Sequence, residues 1–189
     1  MVGSVTPPGR LREAVDGAVE RARPLVAAVE LIDLSEHRIS FADGRGPDSF
    51  GDDTGAVVEA VQSADVVVFA TPIYRGSMTG ALKNVFDVLP VPALQSKVVA
   101  LAAMGGSDHH FLGADRHMRD VLTFFGALVV PVAVYLTGAD FTDGVPKERA
   151  AQAMDELVQG AVSLATAVGG DRARELGPDP LGTGALARR

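Results

Sequence analysis

Apolar residues along the chain follow two rhythms that take turns. Leu11, Ala14, Val15, Ala18, Val19 and Ala22 recur at helical spacing and stop before Pro24, after which the mostly apolar Val26 to Leu34 reads as a strand. Val57, Val58, Val61 and Ala64 form a second helical face. Val66 to Ala70 follow as a run too short and too β-branched for a helix, hence a strand. Ala81, Leu82, Val85, Phe86 and Leu89 predict a third helix, Val98 to Met104 a strand, Met118, Val121, Leu122 and Phe125 a fourth helix, and Leu128 to Leu136 a further strand. A last helix is expected to start near Pro146, a residue suited to a first turn, with Met154, Leu157, Val158, Ala161, Ala165 and Val168 on one side; Gly169 and Gly170 end it.

Strands this continuously apolar need cover on both faces, and the intervening amphipathic helices supply it, so the pattern predicts a three-layer α/β sandwich around a parallel sheet. The expected arrangement is flavodoxin-like, five strands in the order 2-1-3-4-5, with the first strand cut down to Met1 and Val2. Residues 1–168 are expected to form one domain. Residues 169–189 read as a flexible tail or as an arm laid on a neighbouring subunit. The polar stretch from Ser35 to Asp53, rich in Gly, Asp and Pro, reads as a long surface connection.

Composition narrows the function classes. With 47% hydrophobic residues among 189, the chain can build one sizeable core. Its formal charge of −7 repels a polyphosphate backbone, which argues against nucleic acid. Having no cysteine, the chain has no disulfide, thiolate nucleophile or thiolate metal site, in keeping with a reducing cytoplasm. No apolar run is long enough to span a bilayer and no basic-then-apolar start is present, so the expectation is a cytoplasmic protein with no membrane partner.

In the predicted order, ligands sit where connections diverge to opposite faces, and the loops after strands one, three and four should meet there. The first runs from Gly3 to Leu11. Ser4 and Thr6 hydroxyls, helix-start N–H groups and the Arg10 guanidinium suit a phosphate, although the same residues also make an ordinary capped helix start. The second follows Thr71: Pro72 stiffens the turn, and Ile73, Tyr74 and Arg75 suit the edge of a planar heteroaromatic ring. In the third, Gly105 and Gly106 let backbone approach a ligand and Ser107 adds a hydroxyl. His109 and His110 are adjacent, point apart and lack further ligands, so no metal is expected; His109 remains open as a lining residue. No nucleophile elbow, Gly-Lys-Ser/Thr phosphate loop or three-glycine dinucleotide fingerprint occurs.

The segments Thr71-Pro72-Ile73-Tyr74, Gly80-Ala81-Leu82-Lys83-Asn84 and Gly105-Gly106-Ser107 resemble the NAD(P)H-dependent FMN reductases, especially those that feed reduced flavin to two-component monooxygenases. The resemblance covers most of residues 1–168. It implies FMN as cofactor, with its phosphate in the Gly3–Arg10 loop against Ser4, Thr6, Arg10 and Leu11. Its ring would lie against Pro72, Ile73, Tyr74, Arg75, Gly105, Gly106 and Ser107. It further implies hydride transfer from NADH or NADPH, a partner monooxygenase, a homodimer or homotetramer, and no catalytic side chain, because the flavin carries the redox chemistry. Three features depart from the family pattern: Gly9 and Leu11 flank Arg10 where hydroxyl residues are usual; Arg116 lies where some members carry an aromatic; and the first strand is short. Two further readings share the fold, a non-enzymatic FMN electron carrier and an FMN-containing quinone, azo-dye or chromate reductase.

Overall fold

A computed structural model describes residues 1–6, 9–169 and 176–177; the expected tail lies, apart from Leu176 and Gly177, outside the described residues. The centre of the sheet is β1 (Val66–Pro72) paired in parallel with β2 (Val98–Met104) along their whole length, from Val66 opposite Val98 to Pro72 opposite Met104. Side chains alternate between faces. Val67, Phe69, Val99, Leu101 and Ala103 pack with α2 (Thr54–Ser63), α3 (Gly80–Val88) and α4 (Gly113–Phe124), whereas Ala70, Val98, Ala100 and Ala102 pack with α1 (Arg10–Ala22) and α5 (Glu148–Val168). Two hydrophobic cores therefore sandwich one parallel sheet, the layering the apolar pattern predicts.

Three elements differ from expectation. The strand expected over Leu128–Leu136 splits into β3 (Leu128–Val129) and β4 (Val134–Leu136), both parallel to β2. Residues 130–133 oppose only residues 100–101, so two extra residues bulge out around Pro131, which has no N–H for the ladder. Arg119 fixes the bulge by donating to the carbonyls of Val130 (2.9 Å) and Pro131 (3.0 Å). At the other end, Pro146 does not open the last helix. It belongs to a small hairpin, β5 (Phe141–Thr142) with β6 (Val145–Pro146), whose turn residues Asp143 and Gly144 both have positive φ.

The strand expected over Val26–Leu34 is the third difference. Only an isolated bridge forms there, Asp33 with Val2, and Val2 also bridges Ala70. Met1–Gly3 is thus inserted between two neighbours: Val2 N–H donates to Ile32 C=O (2.7 Å), Leu34 N–H to Val2 C=O (3.0 Å), Gly3 N–H to Ala70 C=O (2.7 Å) and Ala70 N–H to Met1 C=O (2.9 Å). Residues 26–31 have the composition of a strand but no neighbour to pair with, and Ala27, Ala28 and Glu30 are exposed.

The Ser35–Asp53 connection contains no strand or α-helix, yet it is pinned. Asn84 on α3 accepts from Ala42 N–H (3.0 Å) and donates to Ser40 C=O (2.9 Å), and Asp52 takes both the N–H and the hydroxyl of Ser40. Among the described residues no helix is long and apolar enough to cross a membrane.

Candidate functional site

At the carboxyl ends of Met1–Gly3, β1 and β2 lies a cavity of about 470 Å³. Ser4, Thr6, Arg10 and Leu11 line it from the first loop, Pro72, Ile73 and Tyr74 from the second, and Gly105 and Gly106 from the third. Arg75, Ser107 and His109 do not line it; all three are exposed.

The first loop makes an anion seat. Ser4 and Thr6 share a hydroxyl–hydroxyl bond of 2.8 Å. Helix α1 begins behind Gly9, whose extended backbone (φ −142, ψ −163) offers no side chain to cap it, so N–H groups of the first turn are left for an acceptor. Arg10 stands at that terminus; a Cβ added to Gly138, beyond β4, would lie 2.7 Å from its Nη1. Among the described residues no carboxylate bonds Arg10.

Arg12 also borders the cavity but is fully engaged, with Nε on Asp16 (2.8 Å) and Nη1 on Asp33 (2.5 Å) and Glu36 (3.4 Å). These bonds, that to Asp16 first and then that to Asp33, push the guanidinium further up. Burial opposes ionisation of Asp33 most strongly. The Ser35 N–H and hydroxyl, with Arg12, outweigh it and hold that carboxyl below the usual range. Arg12 is thereby neutralised, and Arg10 is the guanidinium left to meet a ligand.

The second loop is a rigid device. Tyr74 and Ser77 exchange backbone bonds (2.9 and 3.2 Å) around Arg75 (φ 54) and Gly76 (φ 79), a tight turn with both central residues left-handed. Tyr74, 50% exposed, presents its ring at the rim. Helix α4 clamps the turn: His117 Nδ1 meets Ser77 Oγ at 2.8 Å, and Gly113 comes so close that a Cβ there would lie 2.5 Å from the Gly76 oxygen. Thr79 joins this loop to the first. Its hydroxyl donates to Gly3 C=O (2.5 Å) while accepting from Leu82 N–H (3.1 Å) as the cap of α3.

The third loop is held from β4. Gly105 N–H donates to Leu136 C=O (2.9 Å), and the Tyr135 hydroxyl donates to Ser107 C=O (2.7 Å). A Cβ on Gly105 would fall 1.9 Å from the Tyr135 oxygen, so the position demands glycine, whereas Gly106 has open space beside it. Burial, and then Asp108, push the Tyr135 phenol up, so it stays a donor at neutral pH.

Sequence reasoning found three converging loops but missed what braces them. Asp33, an acid between Ile32 and Leu34, was a readable signal; Thr79, Tyr135 and Gly138 act across long chain separations that no local pattern reveals. Among the described residues no cluster of three or more His, Asp or Glu is placed to hold a metal. The donor set fits FMN: a hydroxyl pair, an unsatisfied helix start and an arginine for a phosphate, then an apolar and aromatic edge with open glycine backbone for a flat ring.

Relatives agree with that chemistry. An NAD(P)H-dependent FAD/FMN reductase of Geobacillus thermodenitrificans is 39% identical over 136 residues, 69% of this chain and 74% of that protein. The NADH-dependent FMN reductase SfnF of Pseudomonas fluorescens is 44% identical over 88 residues, about half of either chain (47% each). The crystal structure of the apo NADH:FMN oxidoreductase EMOB superposes with a TM-score of 0.69 over 86% of both chains at 24% identity, which establishes the flavodoxin-like fold. Residues 1–141 match the family described as NADPH-dependent FMN reductase, and with this fold and these relatives the chain belongs to that family.

Proposed function

We propose that the rim cavity binds FMN and that the protein transfers hydride from NADH or NADPH to it. The observation that carries this reading is the meeting of the uncapped start of α1, Arg10 and the Ser4–Thr6 hydroxyl pair with the Pro72–Tyr74 turn and Gly105–Gly106 around one cavity. Ser4, Thr6, Arg10 and the Leu11 N–H hold the phosphate. Pro72, Ile73 and Tyr74 border the ring, with Arg75 and Ser107 next to them in the chain. Bound FMN supplies the hydride acceptor. The protein's own part is positional: Thr79, His117 and Tyr135 keep the three loops in register, and Asp33, locked as a carboxylate on Arg12, is no proton donor.

On this reading residues 1–168 act as one domain, the protein works in the cytoplasm as a homodimer or homotetramer, and reduced FMN passes to a partner monooxygenase. The test is oxidation of NADH and of NADPH by purified protein, with and without added FMN. Oxidation that depends on FMN and releases reduced flavin is expected. No oxidation of either nicotinamide removes the reading; a yellow, inert protein points to an electron carrier, and turnover of a quinone without flavin release points to a resident-FMN reductase.

A further inference from the structure

At about 470 Å³ the rim cavity has room for one cofactor of flavin size. A dinucleotide that passes hydride to a ring held there must therefore lie mostly outside it, across the exposed rim. Arg75 and Arg116 stand beside that rim on two segments packed against each other. Helix α4 runs along the turn Tyr74–Ser77: a Cβ on Gly113 would lie 2.5 Å from the Gly76 oxygen, and His117 Nδ1 meets Ser77 Oγ at 2.8 Å. Arg75 directly precedes Gly76. Arg116 directly precedes His117 and lies one helical turn from Gly113, on the flank of the stripe that touches the turn. Both residues are exposed.

Neither guanidinium is answered within the chain. Arg12, Arg21, Arg23, Arg45 and Arg119 each meet a carboxylate. Among the described residues no carboxylate or carbonyl bonds the guanidinium of Arg75 or Arg116. Asp120 follows Arg116 at the spacing by which Arg12 pairs with Asp16, yet it makes no such bond. The guanidiniums of Arg38 and Arg149 also lack a carboxylate, but they belong to the Ser35–Asp53 connection and to α5 rather than to the rim loops or α4. Arg75 further holds left-handed backbone (φ 54), a strained conformation for a residue with a side chain, and no bond of that side chain among the described residues offsets the strain. On a chain of formal charge −7, two unanswered guanidinium forks on adjoining segments make a local seat for a phosphate.

We propose that Arg75 and Arg116 together take a phosphate group of the hydride-donating nicotinamide dinucleotide, which leaves its nicotinamide end toward Tyr74 and the cavity. The inference rests on the proposed flavin site, because that site puts the reacting ring in the cavity. Two groups of such a dinucleotide share this chemistry: the pyrophosphate common to NADH and NADPH, and the 2′-phosphate of NADPH alone. Arg10 and the start of α1 remain the seat of the flavin phosphate, so the two anions are held by different arginines.

The test is calorimetric titration of the protein, with and without FMN, with NAD+ and NADP+, which differ only in the 2′-phosphate and are redox-inert toward oxidised flavin. It compares the unaltered chain with Arg75→Asn, Arg116→Gln and Arg23→Gln. Asparagine tolerates left-handed backbone, so Arg75→Asn keeps the turn. Arg23, at the opposite end of α1 from Arg10 and paired with Glu20, reports the effect of net charge alone. Arg75→Asn and Arg116→Gln are each expected to weaken NADP+ binding by about 10-fold, while Arg23→Gln binds as the unaltered chain does. Loss confined to NADP+ assigns the seat to the 2′-phosphate, and equal loss for both dinucleotides assigns it to the pyrophosphate. Undiminished affinity for both dinucleotides in either rim variant, the same loss in Arg23→Gln, or no binding of either dinucleotide by the unaltered chain overturns the proposal. Titration of the same proteins with FMN separates this inference from the proposed function. FMN binding kept while dinucleotide affinity ignores both arginines contradicts the seat alone; dinucleotide binding that depends on them in a chain that does not bind FMN contradicts the flavin site and leaves the seat standing.

Discussion

The carboxyl and amino ends of the sheet hold cavities of nearly equal volume, about 470 and 460 Å³, built from opposite chemistry. At the carboxyl end, loops leave the sheet and are tied to one another by polar bonds: Thr79 to Gly3, Ser77 to His117, Tyr135 to Ser107. The space between them is lined by hydroxyls, a guanidinium and open glycine backbone, which offer a polar ligand partners. At the amino end the walls are mostly alkyl, with Glu30, Ser63 and Asp65 as the polar side chains and the Met1 ammonium as the one cation. The first cavity offers polar partners to a ligand; the second is walled mainly by apolar side chains. A void in a fold is therefore read from its donors and from which of them lack partners, not from its size.

The largest expected effect separates the two ends by pH. Because burial lowers the Met1 ammonium from 8.0 to about 5, the folded chain binds fewer protons than the unfolded one between those values, so stability rises as pH climbs from 5 to 8. The rise amounts to at most about 4 kcal/mol, measured by urea unfolding at a series of pH values. Asp33 acts in the opposite pH region. Held below its ordinary 3.8, it contributes stability that is complete above that value and is lost as pH falls through its folded pKa.

Next in size, Asp33→Asn removes the 2%-exposed carboxylate that neutralises Arg12 and is expected to cost about 3 kcal/mol of unfolding free energy. The lost charge also frees Arg12 to compete with Arg10 for an anion, so phosphate affinity measured by calorimetry should not fall. Smaller again, Gly105→Ala forces a Cβ against the Tyr135 hydroxyl and is expected to cost about 2 kcal/mol and to weaken FMN binding. Tyr135→Phe alone loses one hydrogen bond, about 1 kcal/mol, and in the double variant it relieves part of the clash, a coupling that a double-mutant cycle reads directly.

Much of this was legible in the chain. The two cores follow from the continuously apolar runs Val66–Ala70 and Val98–Met104, which need cover on both faces, and the three rim loops from punctuation at Pro72, Gly105 and the Ser4–Arg10 run. What failed to form did so for want of a partner or a donor. Val26–Leu34 has strand composition, but pairing is a property of two segments, and its neighbour is only Met1–Gly3. Leu128–Leu136 breaks because Pro131 cannot donate. The braces of the site were hidden for a related reason: Thr79 reaches Gly3, and Tyr135 reaches Gly105, only after the strands are in register, so no local spacing announces them.

The grip on a flavin by tail and ring is tested most directly by titrating the protein with FMN and with riboflavin, which lacks the phosphate, before and after Arg10→Ala. Unaltered protein is expected to bind FMN at least about 10-fold more tightly than riboflavin, and Arg10→Ala to remove most of that difference while leaving riboflavin binding unchanged. Equal affinity for both flavins in the unaltered protein, or a variant that weakens both alike, would contradict the assignment of Arg10 and the start of α1 to the phosphate.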